Sequence, residues 1–62
     1  MPNGHAACWL VANGEDGNRY YTRCDPYTDA CETAFKARVR RQSGDCRNVH
    51  REYVQPVNAI PI

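Results

Sequence analysis

A strong turn signal separates two strand-like runs near the start of the chain. The segment "HAACWLVAN" is mostly apolar, and "RYYTRC" has the aromatic and β-branched content of a strand. Between them lies Asp16-Gly17, a pair favoured in two-residue hairpin turns because a type I′ turn needs positive φ at both central residues. We therefore predict a β-hairpin over about residues 6–24, with Asn13-Gly14 as the other pair that can host the turn.

The position of the turn determines which side chains share a face. With this turn, Val11 is expected opposite Thr22, and successive side chains point to opposite faces. One face is then expected to carry Trp9, Val11, Tyr20, Thr22 and Cys24. The other is expected to carry Cys8, Leu10, Ala12, Arg19, Tyr21 and Arg23. The first set is the better match for a helix, and a slip of one residue in the register would invert this assignment.

A single helix is predicted over about residues 26–42. Asp25 can cap it, with Pro26 at the first helical position, where no N–H is needed. A second start at Asp29, with Glu32 three residues later, has the form of a capping box. Gly44 marks the C-terminal end. At helical spacing the apolar positions are Ala30, Cys31, Ala34, Phe35, Ala37 and Val39.

A third strand is predicted over about residues 47–55, followed by an extended tail over 56–62. The whole chain, 1–62, is expected to form one domain. Its element order predicts an α+β fold: a small two-layer β-β-α-β unit, with a three-stranded sheet and one helix packed on one face. The third strand is expected beside the first.

The four cysteines are candidate staples, because a chain of 62 residues buries only a thin core. Their spacing contains no C-x₂₋₄-C pair of the kind that structural zinc sites use, so no metal and no other cofactor is expected. In the predicted fold Cys8, Cys24 and Cys31 lie at one end and Cys46 at the other. One bridge among the first three is therefore compatible with the fold, whereas two bridges are not.

The N-terminal segment predicts the compartment. It has no basic region followed by a long apolar run, as a signal peptide would have. No stretch approaches the roughly 20 apolar residues of a membrane span, so no membrane partner is expected. These features favour a cytoplasmic protein with reduced thiols, and a secreted, disulfide-stapled miniprotein is the alternative.

Basic residues are concentrated in the stretch "KARVRRQSGDCR". At about 100° per residue, their side chains scatter around the predicted helix instead of sharing one side. Acidic residues lie in the first turns and basic ones in the last, which favours the helix dipole as the cause of this pattern. Nucleic-acid binding through the basic half is the alternative. Its candidate residues are Lys36, Arg38, Arg40, Arg41 and Arg47.

The sheet face away from the helix is the candidate surface for a protein partner. It is expected to present Leu10 and Tyr21 beside Arg19 and Arg23, a composition favoured at binding hot spots. Arg38, within the apolar stripe of the predicted helix, is a further candidate for contact with a partner's carboxylate. Open strand edges and the apolar tail also allow strand addition. A homodimer through an edge strand or the sheet face is one form of this pairing.

The favoured function is a small non-enzymatic protein-binding module. Cys31 and His50 form no recognisable nucleophile motif with a third orienting group, so the chain is not expected to be an enzyme. In element order alone, the chain resembles small phage and plasmid proteins that inhibit or retune a host protein. We therefore expect an accessory or inhibitor protein of a bacterium, phage or plasmid.

Overall fold

The computed structural model describes residues 6–62 as a mixed sheet with a helix on one face. The elements are β1 Cys8–Gly14, β2 Arg19–Cys24, α1 Asp29–Ser43, β3 Cys46–Glu52 and β4 Ile60–Pro61. The strands lie in the order β3-β1-β2-β4, and each pair is antiparallel except β2 and β4. The helix packed on a sheet is as predicted, and so is β3 beside β1. The prediction of three strands is corrected to four.

The turn between β1 and β2 has three residues instead of two. The amide of Gly14 donates to the carbonyl of Asn18 at 2.8 Å, and the amide of Gly17 donates to the carbonyl of Gly14 at 3.2 Å. Among the loop residues only Gly17 has positive φ, at 86°, so the predicted type I′ turn, which needs two such residues, does not form. The carboxylate of Asp16 accepts from the Asn18 amide at 3.0 Å and also from the Tyr20 hydroxyl.

The longer loop moves the register of β1 by one residue. Leu10 lies opposite Thr22, and Trp9 lies opposite Arg23. The predicted faces of β2 are correct, but those of β1 are inverted, because the side-chain period of a strand is two. Trp9 and Val11 therefore point away from the helix, and Leu10 points toward it.

The core lies between the sheet and α1. Its largest side chains are those of Tyr20, Phe35, Leu10 and Val39, and all of them are almost fully buried. Smaller members are Cys8, Ala12 and Cys24. At about 25 cal/mol per Å² of buried apolar surface, these few side chains supply most of the hydrophobic stabilisation.

The helix begins three residues later than the predicted residue 26. Thr28 is its cap, since the Thr28 hydroxyl accepts from the Cys31 amide at 3.1 Å. Gly44 ends the helix as predicted: its φ is 95°, and its amide donates to the Arg40 carbonyl at 2.7 Å. The residues that α1 buries are Phe35 and Val39.

The tail supplies the fourth strand. Ile60 and Pro61 pair in parallel with Tyr20 and Tyr21, and the Ile62 amide donates to the Tyr21 carbonyl at 3.0 Å. Ile62 also packs against the core. The tail thus pairs within its own chain, at the edge of β2 that was expected to be open.

Candidate functional site

The sheet face opposite α1 combines aromatic, aliphatic and charged side chains. Because Trp9 and Val11 of β1 lie on this face, their cross-strand neighbours on β2 and β3 lie there too. Those neighbours are Arg23 and Tyr21 on β2 and Glu52 and His50 on β3. We call this surface the open face.

Trp9 and Arg23 form one end of the open face. The guanidinium carbon of Arg23 lies 4.3 Å from the centre of the Trp9 ring. Its Nη2 atom lies 3.7 Å from a carboxylate oxygen of Asp25. A cation–π contact of this exposure contributes about 0.5–1 kcal/mol. Arg23 is therefore held over the indole ring and covers it in part.

Val11 lies at the centre of the open face and is fully buried, although it is not part of the cluster beneath α1. Its neighbours on the adjoining strands are Tyr21 and His50. A charged group stands beside it: the carboxylate of Glu52 lies 3.5 Å from the Arg19 guanidinium and 2.7 Å from Nε2 of His50. The open face consequently has a small apolar centre with an ionic border.

The surroundings of His50 favour its doubly protonated form. Nδ1 lies 2.9 Å from the carbonyl oxygen of Asn48, and Nε2 lies 2.7 Å from a carboxylate oxygen of Glu52. Both neighbours are acceptors, and only the imidazolium carries a proton on each ring nitrogen. The hydrogen bond to Asn48 and then that to Glu52 raise the pKa of His50 above its ordinary value of 6.5, against the opposing effects of burial and of the Arg19 charge.

This geometry predicts a pH-dependent stability. A pKa that is raised on folding stabilises the folded state fully below the ordinary value of 6.5, and the stabilisation is lost as the pH rises through the higher folded-state pKa. Urea unfolding of the wild-type protein is therefore expected to show higher stability at about pH 5.5 than at about pH 8. His50→Gln should reduce that difference, and an unchanged difference in this variant would contradict the role of His50.

A segment of the chain crosses the open face. Residues 53–59 connect the end of β3 at one edge of the sheet to β4 at the other edge. The side-chain amide of Gln55 donates to the hydroxyl of Tyr21, a residue of the open face, at 3.4 Å. Pro56 in the same segment is buried. We call residues 53–59 the crossing segment, and it contacts the open face at Tyr21, the strand neighbour of Val11.

The crossing segment exposes large apolar side chains beside the polar residues Gln55 and Asn58. Tyr53 is 64% exposed, Val54 is 77% exposed and Val57 is 74% exposed. Ile60, directly after the segment, is 43% exposed. Among the described residues these are the large hydrophobic side chains that remain in water. We call these four residues the apolar patch, and such clustering is typical of interaction surfaces.

The structure separates the five residues predicted to contact a protein partner. Arg19, Tyr21 and Arg23 lie together on the open face, as predicted. Leu10 is wrongly placed in that prediction, because the register shift buries it completely beneath α1. Arg38 is also wrongly placed, since it is exposed to one side of the buried stripe of the helix.

The five basic residues predicted to bind nucleic acid fall into two groups. Lys36 forms an ion pair with Glu32 at 2.8 Å, and Arg47 forms one with Asp45 at 2.8 Å. The others are exposed and form no salt bridge with another residue of 6–62: Arg38, Arg40 and Arg41. About 100° per residue places Arg40 and Arg41 on the side of the helix away from Phe35 and Val39, whereas Arg38 lies on its flank.

One disulfide joins Cys24 at the end of β2 to Cys31 in the first turn of α1. It is a bridge within the predicted group of three, and it contradicts the expectation that all four thiols are reduced. Cys8 and Cys46 are free, and burial raises the pKa of the Cys46 thiol. No group of three or more His, Cys, Asp or Glu side chains within residues 6–62 is arranged to hold a metal ion.

The apolar patch was predicted only in part. Val57 and Ile60 belong to the apolar tail that was expected to allow strand addition, whereas Tyr53 and Val54 were assigned to the end of the third strand. One signal was available: residues 53–62, "YVQPVNAIPI", contain no charged side chain. An uncharged segment of this length was compatible with both a packed tail and an exposed surface.

Comparisons with known proteins found no similarity to this chain. No family model matches it, and no curated protein or solved structure matches it. In the part of the chain that the structure describes, no helix has the length and apolar content to cross a membrane.

Proposed function

We propose that this chain is a small non-enzymatic protein-binding module, acting as an accessory or inhibitor protein of a bacterium, phage or plasmid. The observation that carries this proposal is the apolar patch. Three of its members lie within five consecutive residues, and each is at least 64% exposed. Keeping such side chains in water is unfavourable by about 25 cal/mol per Å², and a partner that covers them recovers this free energy.

The chemistry of the patch favours an apolar partner surface. No residue from Tyr53 to the C-terminus carries a charge. The nearby arginines of the open face, Arg19 and Arg23, already have acidic neighbours within the chain. A partner therefore needs to supply apolar side chains in the centre of the contact and no compensating acidic group.

The two outer edges of the sheet oppose pairing with a second copy of the chain. β4 occupies the outer edge of β2 at Tyr20 and Tyr21. The outer edge of β3 carries Arg47 and Arg51, and charged side chains on an edge strand oppose edge-to-edge pairing. A homodimer through an edge or through the open face remains an alternative, and sedimentation equilibrium of the purified protein tests it directly.

A photo-crosslinking amino acid at position 54 tests the proposed surface in the source cell. We expect a discrete adduct with one protein, because Val54 is the most exposed member of the apolar patch. The matched control carries the same amino acid at position 34, on the exposed side of the helix. Equal adducts from both positions would show contact without a defined surface.

The captured protein is then purified and titrated with the wild-type chain and with a triple variant. Tyr53→Ser, Val54→Ser and Val57→Ser together are expected to weaken binding at least about tenfold, since they remove the exposed apolar side chains. The control variant Arg38→Ser/Arg41→Ser alters the other side of the molecule and should bind normally. Unchanged affinity of the triple variant would exclude the apolar patch as the binding surface.

Nucleic-acid binding through the basic half is the second candidate function. Three exposed arginines of α1 support it, because they form no salt bridge within residues 6–62: Arg38, Arg40 and Arg41. Binding of this kind is strongly weakened by salt, because each phosphate contact releases counterions. Filter binding to duplex and single-stranded nucleic acid over a range of salt concentrations provides the test. Binding that is absent at low salt, or that does not fall with salt, would exclude this function.

The cytoplasmic location also remains a proposal, with secretion as its alternative. The bridge between Cys24 and Cys31 supports the alternative, because disulfides persist mainly in oxidising compartments. Alkylation of thiols in intact cells before lysis distinguishes the cytoplasmic from the secreted location. Four alkylated cysteines would support a reducing compartment, and two alkylated cysteines would support an oxidising one.

A further inference from the structure

Three of the four cysteines meet at one end of the sheet. Cys8 of β1 lies directly opposite Cys24 of β2. Both point toward α1, with 0% and 1% of their surfaces exposed. Cys24 is bridged to Cys31, and their Cα atoms are 6.2 Å apart. The free thiol of Cys8 therefore lies on the same face as the bridged sulfur of Cys24, on the neighbouring strand.

We propose that Cys8, Cys24 and Cys31 form a thiol–disulfide exchange site, in which the bridge passes from Cys24–Cys31 to Cys8–Cys24 and releases Cys31. Directly opposed residues of antiparallel strands have Cα atoms about 4.5–5.5 Å apart. That distance falls within the range of about 4.4–6.8 Å that disulfides span. A bridge between Cys8 and Cys24 consequently needs no change in the path of either strand.

The first step is an internal exchange that needs no oxidant. The thiolate of Cys8 attacks the sulfur of Cys24, a bond forms between these two sulfurs, and the bond from Cys24 to Cys31 breaks. Cys31 leaves as a thiolate and takes up the proton that Cys8 lost. The protein still contains one disulfide and two thiols after this step.

The position of Cys31 suits it to be the released sulfur. It lies in the first turn of α1, where the partial positive charge of the helix N-terminus favours an anion. It is also partly exposed, whereas Cys8 and Cys24 are buried. Of the three sulfurs, Cys31 is thus the one that a molecule from solution can reach after release.

The substrate class is a low-molecular-weight disulfide such as glutathione disulfide. The released Cys31 thiolate attacks one of its sulfurs, forms a mixed disulfide at Cys31 and expels glutathione thiolate. Overall, one protein thiol becomes a disulfide sulfur and one glutathione sulfur becomes a thiol, so the number of disulfides is unchanged. The protein ends with the Cys8–Cys24 bridge and one glutathione adduct. This inference is independent of the apolar patch and of any protein partner.

Tryptic digestion distinguishes the two bridges by mass. Cys24 and Cys31 lie in one peptide, 24–36, whereas Cys8 lies in peptide 1–19 and Cys46 in peptide 42–47. The original bridge is internal to peptide 24–36. The exchanged bridge joins peptides 1–19 and 24–36 and leaves Cys31 free to carry another group.

The full-length chain is incubated with glutathione disulfide, quenched with N-ethylmaleimide at acidic pH and digested. We expect the joined peptides with glutathione on Cys31, located by fragmentation. Glutathione on Cys8 with the original bridge intact, or absence of the joined peptides, would overturn the proposal. This measurement uses the wild-type protein and does not depend on the folding of a variant.

Two variants test the role of Cys8. In Cys8→Ala, the amount of glutathione adduct on Cys31 is expected to fall at least about tenfold, because no neighbouring thiol can release Cys31 from its bridge with Cys24. Cys46→Ala is the matched control, since Cys46 lies at the other end of the strands, opposite Gly14, and it should react as the wild type does. Equal modification of Cys31 in Cys8→Ala would show direct attack from solution and would contradict the exchange.

Discussion

Leu10→Ala is expected to lower the free energy of unfolding by about 2–5 kcal/mol. Leu10 is fully buried and belongs to the cluster that includes Phe35 and Tyr20. A chain of 62 residues has a total stability of only about 3–9 kcal/mol at ordinary values per residue. The variant is therefore expected to be partly or wholly unfolded at room temperature. Circular dichroism during urea unfolding measures the change.

Val54→Ala is the matched control for this prediction. It also shortens an aliphatic side chain, but Val54 is 77% exposed, so its effect should stay within about 0.5 kcal/mol. Equally small losses in the two variants would contradict the burial of Leu10 in the core cluster beneath α1.

Reduction of the Cys24–Cys31 bridge is expected to cost about 2–3 kcal/mol of stability, on the loop-entropy relation for bridged residues that are 7 apart in sequence. The bridge attaches the end of β2 to the first turn of α1, so its loss also frees the start of the helix. Urea unfolding with and without a strong reductant measures this effect.

Cys24→Ala is the control for the effect of reductant. Cys24 is the sulfur shared by both bridges in the exchange proposal, so this variant can form neither of them. Its unfolding midpoint should be low and should not respond to reductant. A wild-type midpoint that is equally insensitive to reductant would mean that the bridge adds nothing to stability.

Short-range sequence signals predicted several features correctly. Glu32 and Lys36 have the i,i+4 spacing that favours an ion pair on a helix, and they form one. Gly44 ends the helix with a positive φ, a conformation that a residue without Cβ adopts without strain. The hairpin and the neighbouring positions of β1 and β3 were also predicted. Each of these features depends on residues close together in sequence or on a general rule of chain topology.

The faces of β1 were not predictable in the same way. Asp16-Gly17 is compatible with a two-residue turn and with a three-residue loop that ends at Gly17. The choice rests on the φ of Asp16 and on the hydrogen bonds that its carboxylate makes with Asn18 and Tyr20. One residue of difference there moved Leu10 into the core and Trp9 out of it, with opposite consequences for a binding surface.

The candidate surface was likewise predicted only where it depends on residues close together in sequence. The aromatic and basic residues of β2 were assigned correctly to the open face, because alternation within one strand is a local property. The crossing segment was not predicted, since its course depends on contacts between residues distant in sequence, such as Gln55 with Tyr21. For this reason Tyr53, Val54 and Val57 were recognised as a patch only in three dimensions.

Local patterns in this chain were thus sufficient for the order of the first four elements, the end of the helix and the alternation of side chains along each strand, because nearby residues control these features. The register of the hairpin and the pairing of the tail with β2 depended on packing between distant segments. The outcome depends on the sum of many small contact energies between residues distant in sequence, so no single stretch of sequence determines it.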